Sequence, residues 1–239
     1  MPESIEGQLN TREREIITGV ILEKNPRPKV VLEIGTWLGG GSTLHFLRAL
    51  EKNGEGRLWG IECDRSIYEK MIENIRRGAP EALHRFTPVF GFSQAAIPEL
   101  LREQGPGFQI DILFLDGGNN PMEQIEEFWL CDPHMPVGAR LLSHDAKLRK
   151  GKWLVPYVSL LDNWKSEFHD ISHEGLFTAV KTAAHPSPAS LRAAKNRLRR
   201  MRLEPAELAG RVAGPALRKL ATRILPHKLI RRLAEGQPG

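Results

Sequence analysis

Two periods of hydrophobic spacing alternate along this chain. Short runs of apolar residues recur at 30–34, 57–61, 86–90, 110–115 and 139–142, and each reads as a strand buried on both faces. Segments with apolar residues three and four apart lie between them, at 43–50, 68–75, 94–101 and 122–130, with another at 11–24 ahead of the first run. These predict helices. Strands that alternate with helices predict an α/β fold with a doubly wound, mostly parallel sheet. Two further strands, 167–171 and 176–181, are separated only by a tight connection through His173-Glu174-Gly175, so one of them must run antiparallel. A helix is expected over 152–164.

The stretch from Val30 to Ser42, VVLEIGTWLGGGS, is the most informative. A buried strand there runs into Gly35, Gly39, Gly40 and Gly41 before Ser42-Thr43 opens a helix. Glycine tolerates positive φ and lets a ligand touch the backbone where a Cβ would stand in the way. Polar residues fall at the carboxyl ends of four strands: Glu33, Glu62, Asp116 and the pair His144-Asp145. Doubly wound sheets bind ligands at that edge. Glu62, ending the second strand, is placed to accept hydrogen bonds from two ribose hydroxyls, and the turn leaves backbone N–H groups free beside it. That describes a nucleoside site. The Gly35-x-x-x-Gly39 spacing departs from the GxGxxG of dinucleotide enzymes.

The motif EIGTWLGGGST, the acid in LWGIE, the segment VFGFSQAAIPEL and the strand DILFLD together resemble class I S-adenosylmethionine-dependent methyltransferases, in their catechol O-methyltransferase-like branch. The resemblance covers residues 11–182. It implies a seven-stranded sheet in the order 3-2-1-4-5-7-6, with S-adenosylmethionine as cofactor. Glu33, Gly35, Thr36 and Gly39 would surround its methionine part, next to Ser42 where the helix begins. Glu62 would hold the ribose, Ser93 and Gln94 would lie beside the adenine, and Asp116 would stand near the sulfonium. Metal-dependent members of the branch hold Mg²⁺ with the acid after strand four and an Asp-Asn pair after strand five. Asp116 and Asp145 are the carboxylates available here for Mg²⁺, but His144 stands at the first position of that pair. A lysine base three residues after the strand-four acid is replaced by Asn119. His144 is then the expected general base, since imidazole titrates near neutral pH, with Asp145 orienting it or binding the metal.

Composition adds a division of charge. Residues 186–239 contain thirteen Lys and Arg against three acids, a net +10, whereas the rest of the chain carries −5. The expected organisation is a methyltransferase domain over 1–185 and a basic, amphipathic helical tail over 186–239. Leu191, Ala194, Leu198 and Met201 repeat at helical spacing, as do Leu217, Leu220, Ala221 and Ile224. Such faces suit an anionic membrane surface, the body of the domain, or a second subunit in a homodimer. The tail has no aromatic residue to stack on bases, which counts against nucleic acid. Two cysteines without a CxxC motif, and no apolar run of membrane-spanning length, point to the cytoplasm, with any membrane contact peripheral.

The sequence therefore predicts an O-methyltransferase acting on a hydroxyl of a small molecule or saccharide. Two other readings stand beside it: an RNA or protein N-methyltransferase, and a peripheral-membrane or scaffold protein with a vestigial nucleoside site. The Asn-Pro-Pro-aromatic motif of amino-group methylases is absent after strand four, where the chain reads Asp116-Gly117-Gly118-Asn119.

Overall fold

The structure is a computed structural model and describes residues 5–203 of the chain. Seven strands form one sheet: β1 (Val30–Ile34), β2 (Arg57–Glu62), β3 (Phe86–Phe90), β4 (Ile112–Leu115), β5 (Arg140–His144), β6 (Trp164–His169) and β7 (Leu176–Lys181). Their order is β3-β2-β1-β4-β5-β7-β6, as the resemblance implied. β1 to β5 are mutually parallel, and β7 runs antiparallel to both of its neighbours.

Side chains alternate across this sheet, and the alternation sorts the chain into two cores. Val31, Leu58, Phe114 and Leu142 face α1 (Thr11–Leu22), α2 (Thr43–Asn53) and α3 (Arg65–Gly78). Leu32, Ile61, Leu113 and Leu141 face α4 (Ser93–Gln104), α5 (Pro121–Cys131), α6 (Leu154–Val158) and α7 (Pro188–Arg202). Because successive side chains in a strand point to opposite faces, Glu33 shares the α1 side with Val31, and His144 shares it with Leu142. The strand period thus buries two polar groups on one side of the sheet.

Local chemistry fixes where the helices begin. At α1 the Asn10 carboxamide oxygen accepts from the Glu13 N–H at 3.0 Å, while the Glu13 carboxylate accepts from the Asn10 N–H at 2.9 Å. This capping box satisfies two otherwise orphaned donors. Asn120 and Glu123 form a second one at α5, with Pro121 in the first helical turn.

The segment 152–164 is not one helix. Only Leu154–Val158 is helical, and Trp164 already belongs to β6, paired with Lys181 of β7. Its apolar spacing suited a helix, but ladder hydrogen bonds to β7 and packing of the Trp164 ring against Phe128, with centroids 5.8 Å apart, favour the strand. The first amphipathic segment beyond residue 185 is α7, which buries Ala194, Leu198 and Met201 in the core on the α5 side. Ser187 caps it and donates its backbone N–H to Asp162 at 2.9 Å. The second segment, from Leu217, lies outside the described residues. No helix among the described residues is long and apolar enough to cross a membrane.

Candidate active site

A cleft of about 430 Å³ opens at the carboxyl ends of β1, β2 and β4. Its wall includes Gly35, Trp37, Glu62, Ser93, Asp116 and Lys150. Pockets of about 300–1,000 Å³ are typical of small-molecule sites. The strand order reverses between β1 and β4, which is where a doubly wound sheet leaves such a crevice.

The glycines beside the cleft have different jobs. Gly35 adopts φ +87°, and a Cβ there would lie 2.5 Å from the backbone nitrogen of Gly117, so it lets the loop after β4 close against the loop after β1. A Cβ on Gly40 would instead lie 2.2 Å from the carbonyl oxygen of Glu6. The chain's own N-terminal segment occupies that approach and brings Gln8 to the cleft wall. Only Trp37 and Asp145 among the described non-glycine residues have positive φ, at 46° and 56°. Both adjoin the site, and such conformations cost of order 1–3 kcal/mol and persist where surrounding contacts impose them.

Glu62 is held by the backbone. One carboxylate oxygen accepts from the N–H groups of Cys63 at 2.9 Å and Asp64 at 3.0 Å, and the other from the N–H of Trp37 at 3.0 Å. Its rotamer is set before any ligand arrives, which suits the ribose contact expected of it. Ser93, also on the wall, donates its hydroxyl to Glu127 at 2.6 Å. Sequence reasoning missed Glu127. Burial raises its carboxyl to about 7, the strongest influence on it, and the signal available was an acid on the buried face of α5.

Glu33 does not reach the cleft. It is fully buried on the α1 side of β1 and accepts a hydrogen bond from the Ser42 hydroxyl at the start of α2. Thr36, Gly39 and Ser42 are likewise absent from the cleft wall, which Ile34, Gly35 and Trp37 form at this point. Burial is the largest influence on Glu33 and moves its carboxyl from 4.5 to about 8, against the opposing hydroxyls of Ser42 and Thr43. Between those two pH values the folded protein holds a proton that the unfolded chain has released. Stability contributed here therefore falls as pH rises from about 4.5, and the loss is complete above about 8. Glu33→Gln removes the titration and keeps the shape. Thermal melts from pH 5 to 9 are expected to show the variant's Tm falling less than the wild type's by several degrees, at about 2–4 °C per kcal/mol for a chain of this size. Parallel falls would refute this account.

His144 is also enclosed, with no exposed side-chain surface. Its Nδ1 lies 3.3 Å from both Asp116 and Asp145, and its Nε2 lies 3.5 Å from Glu13 of the capping box. Burial pulls the imidazole down, but the Asp116, Asp145 and Glu13 carboxylates together outweigh it, so the net shift is upward. The ring is therefore not placed to meet an acceptor directly. Asp145 is 8% exposed and not part of the wall. Between Asp116 and Asp145 stands a residue for which sequence reasoning had no role: Lys150, whose ammonium lies 2.8 Å from Asp116 and 2.6 Å from Asp145. The available signal was four bases within residues 147–152, directly after an acid-tipped strand.

A cleft at the strand-order reversal, bounded by a backbone-anchored acid on β2 and an acid after β4, defines a class I methyltransferase fold. Residues 32–146 match the family described as "Methyltransferase domain", so that stretch of the chain is a methyltransferase domain. No curated protein sequence matches it. Solved structures do, at identities where the likeness is one of fold. A protein from Klebsiella pneumoniae assigned as an O-methyltransferase superposes with a TM-score of 0.62 at 17% identity, over 74% of this chain and 82% of that one. The O-methyltransferase from Bacillus cereus, in complex with SAH, gives 0.57 at 17% identity over 73% and 83%. An rRNA methylase from Streptococcus thermophilus gives 0.53 at 12% identity over 72% and 95%. S-adenosylmethionine is the cofactor of this class.

Proposed function

We propose that the protein transfers a methyl group to a hydroxyl oxygen of a small molecule or saccharide. The observation that carries this reading is the cleft with a fixed carboxylate, Glu62, and the Asp116–Lys150 pair both on its wall. Glu62 would take the ribose hydroxyls, Ser93 and Gln94 would flank the adenine, and Gly35 would admit the methionine part against the backbone. Glu33, Thr36, Gly39 and Ser42 would support that wall from behind. S-adenosylmethionine supplies an electrophilic methyl on a sulfonium and leaves as S-adenosylhomocysteine.

What remains for the chain is to align the acceptor, exclude water and receive one proton. Asp116 is the carboxylate on the wall at the expected sulfonium end, so the hydroxyl proton passes to it as the oxygen–methyl bond forms. His144 and Asp145 then act through Asp116, holding and polarising it, instead of touching the acceptor. The O-methyltransferases among the similar folds support a hydroxyl acceptor, as does the absence of an amino-methylase motif after Asp116. The rRNA methylase shows that this fold also serves other acceptors. Calorimetry with S-adenosylhomocysteine tests the cofactor site: micromolar binding is expected, and no heat of binding at millimolar ligand would sink the proposal. With binding established, release of S-adenosylhomocysteine across phenol, polyol and amine panels assigns the acceptor. Turnover confined to amines would overturn the hydroxyl assignment.

A further inference from the structure

Asp116, His144 and Asp145 bring their ligand atoms within 4.8 Å of one another, the arrangement that would invite a divalent cation. The residues present do not fit one. Mg²⁺ demands octahedral oxygen coordination at about 2.1 Å and keeps several waters. Here the Lys150 ammonium sits among the oxygens such an ion would need, 2.8 Å from the Asp116 carboxylate, 2.6 Å from the Asp116 carbonyl and 2.6 Å from the Asp145 carboxylate. An ammonium has three protons, and three acceptors take them. The third side chain of the cluster is an imidazole, a poor ligand for a hard cation.

We propose that Lys150 is a built-in cation: its ammonium fills the site of a divalent ion, neutralises the Asp116 and Asp145 carboxylates, and fixes Asp116 at the cleft wall. Three features make the placement a designed one. Lys150 is largely buried, with 14% of its side chain exposed, and both carboxylate partners are comparably enclosed. Asp145, which reaches it, takes a positive φ that the bend after β5 imposes. The short loop of residues 146–149 returns the lysine to the strand end it has just left. Lys150 is a positioning residue for Asp116, and its catalytic meaning rests on the methyl-transfer reading above. Its occupancy of the cation site does not.

The test is Mn²⁺ binding to the full chain saturated with S-adenosylhomocysteine, read by electron paramagnetic resonance of free Mn²⁺. Wild type is expected to bind no stoichiometric Mn²⁺ below about 1 mM. Lys150→Gln, which loses the charge but keeps a polar stem, is expected to bind Mn²⁺ at least tenfold more tightly than wild type, and Lys150→Ala to do the same. Lys150→Arg, which restores a cation, should return affinity to the wild-type level. A merely structural role for Lys150 would move none of these values. Tight, stoichiometric Mn²⁺ binding by wild type overturns the proposal without recourse to any variant. Failure of both uncharged variants to gain affinity while still binding S-adenosylhomocysteine within threefold of wild type overturns it too. Because S-adenosylhomocysteine binding is measured in the same samples, a failed cofactor site is distinguished from a failed cation assignment.

Discussion

Glu62→Ala is expected to weaken S-adenosylhomocysteine binding about 100-fold or more. The carboxylate accepts from three backbone N–H groups, at 2.9 to 3.0 Å, and these hold it rigid at the edge of the cleft. Two ribose hydroxyls donating to it would each contribute about 1.5–3 kcal/mol, as hydrogen bonds to charged groups do. Losing both costs at least about 3 kcal/mol, and 1.4 kcal/mol is tenfold in affinity. The substitution also strands the Trp37 N–H, whose residue sits at φ 46° against its ordinary preference. Part of the loss will therefore come from a relaxed cleft wall. Glu62→Gln, which keeps one acceptor oxygen, should fall between the two proteins. Calorimetry checks this, and an affinity for Glu62→Ala within threefold of wild type would remove Glu62 from the ribose.

The second large effect is expected at Gly35, where alanine should both destabilise the fold and abolish measurable S-adenosylhomocysteine binding. Two costs combine: a φ of +87°, and a Cβ 2.5 Å from the Gly117 nitrogen. Gly105 separates them, because it has φ +81° and nothing within 4 Å of its Cβ position. Gly105→Ala should therefore lose only the conformational cost, about 1–3 kcal/mol for a φ/ψ region (81°, 178°) that is essentially glycine's, and bind the ligand normally. Urea unfolding of both variants measures the difference. If Gly35→Ala loses no more stability than Gly105→Ala, the loops after β1 and β4 are not in the close contact described here.

The strands and their ends were legible because each rests on local information, whereas the sheet order was implied by the family resemblance. Five apolar runs bounded by turns mark the parallel strands, and an acid at the end of such a run is conspicuous in sequence. The hairpin was legible from Gly175 and its two flanking β-rich runs, but the start of β6 was not, since Leu154, Val158 and Leu161 are spaced as a helix would space them. Pairing with Lys181 of β7 decided that Trp164 is strand. The glycine run was read as a place where a ligand approaches the backbone, and what approaches Gly40 is the backbone of Glu6, a contact that no local pattern encodes.

The site divides the same way. Sequence marked Glu62 and Asp116 because both sit at strand ends that face a crevice in any doubly wound sheet. It also marked Glu33 and His144, and the two-residue period of their strands turns both side chains inward to the α1 face, where burial moves Glu33 upward and three carboxylates surround His144. Lys150 and Glu127 were silent, because a lysine in a basic loop and a glutamate on a helix are ordinary until their partners are known. What the sequence by itself determined is the fold class, the edge of the sheet where chemistry gathers and the acids at that edge, since hydrophobic periodicity and strand ends are local properties. Which acids face the cleft, which lie behind it, and that an ammonium stands between Asp116 and Asp145 were decided only by tertiary structure, because those facts depend on what packs against each side chain from segments distant along the chain.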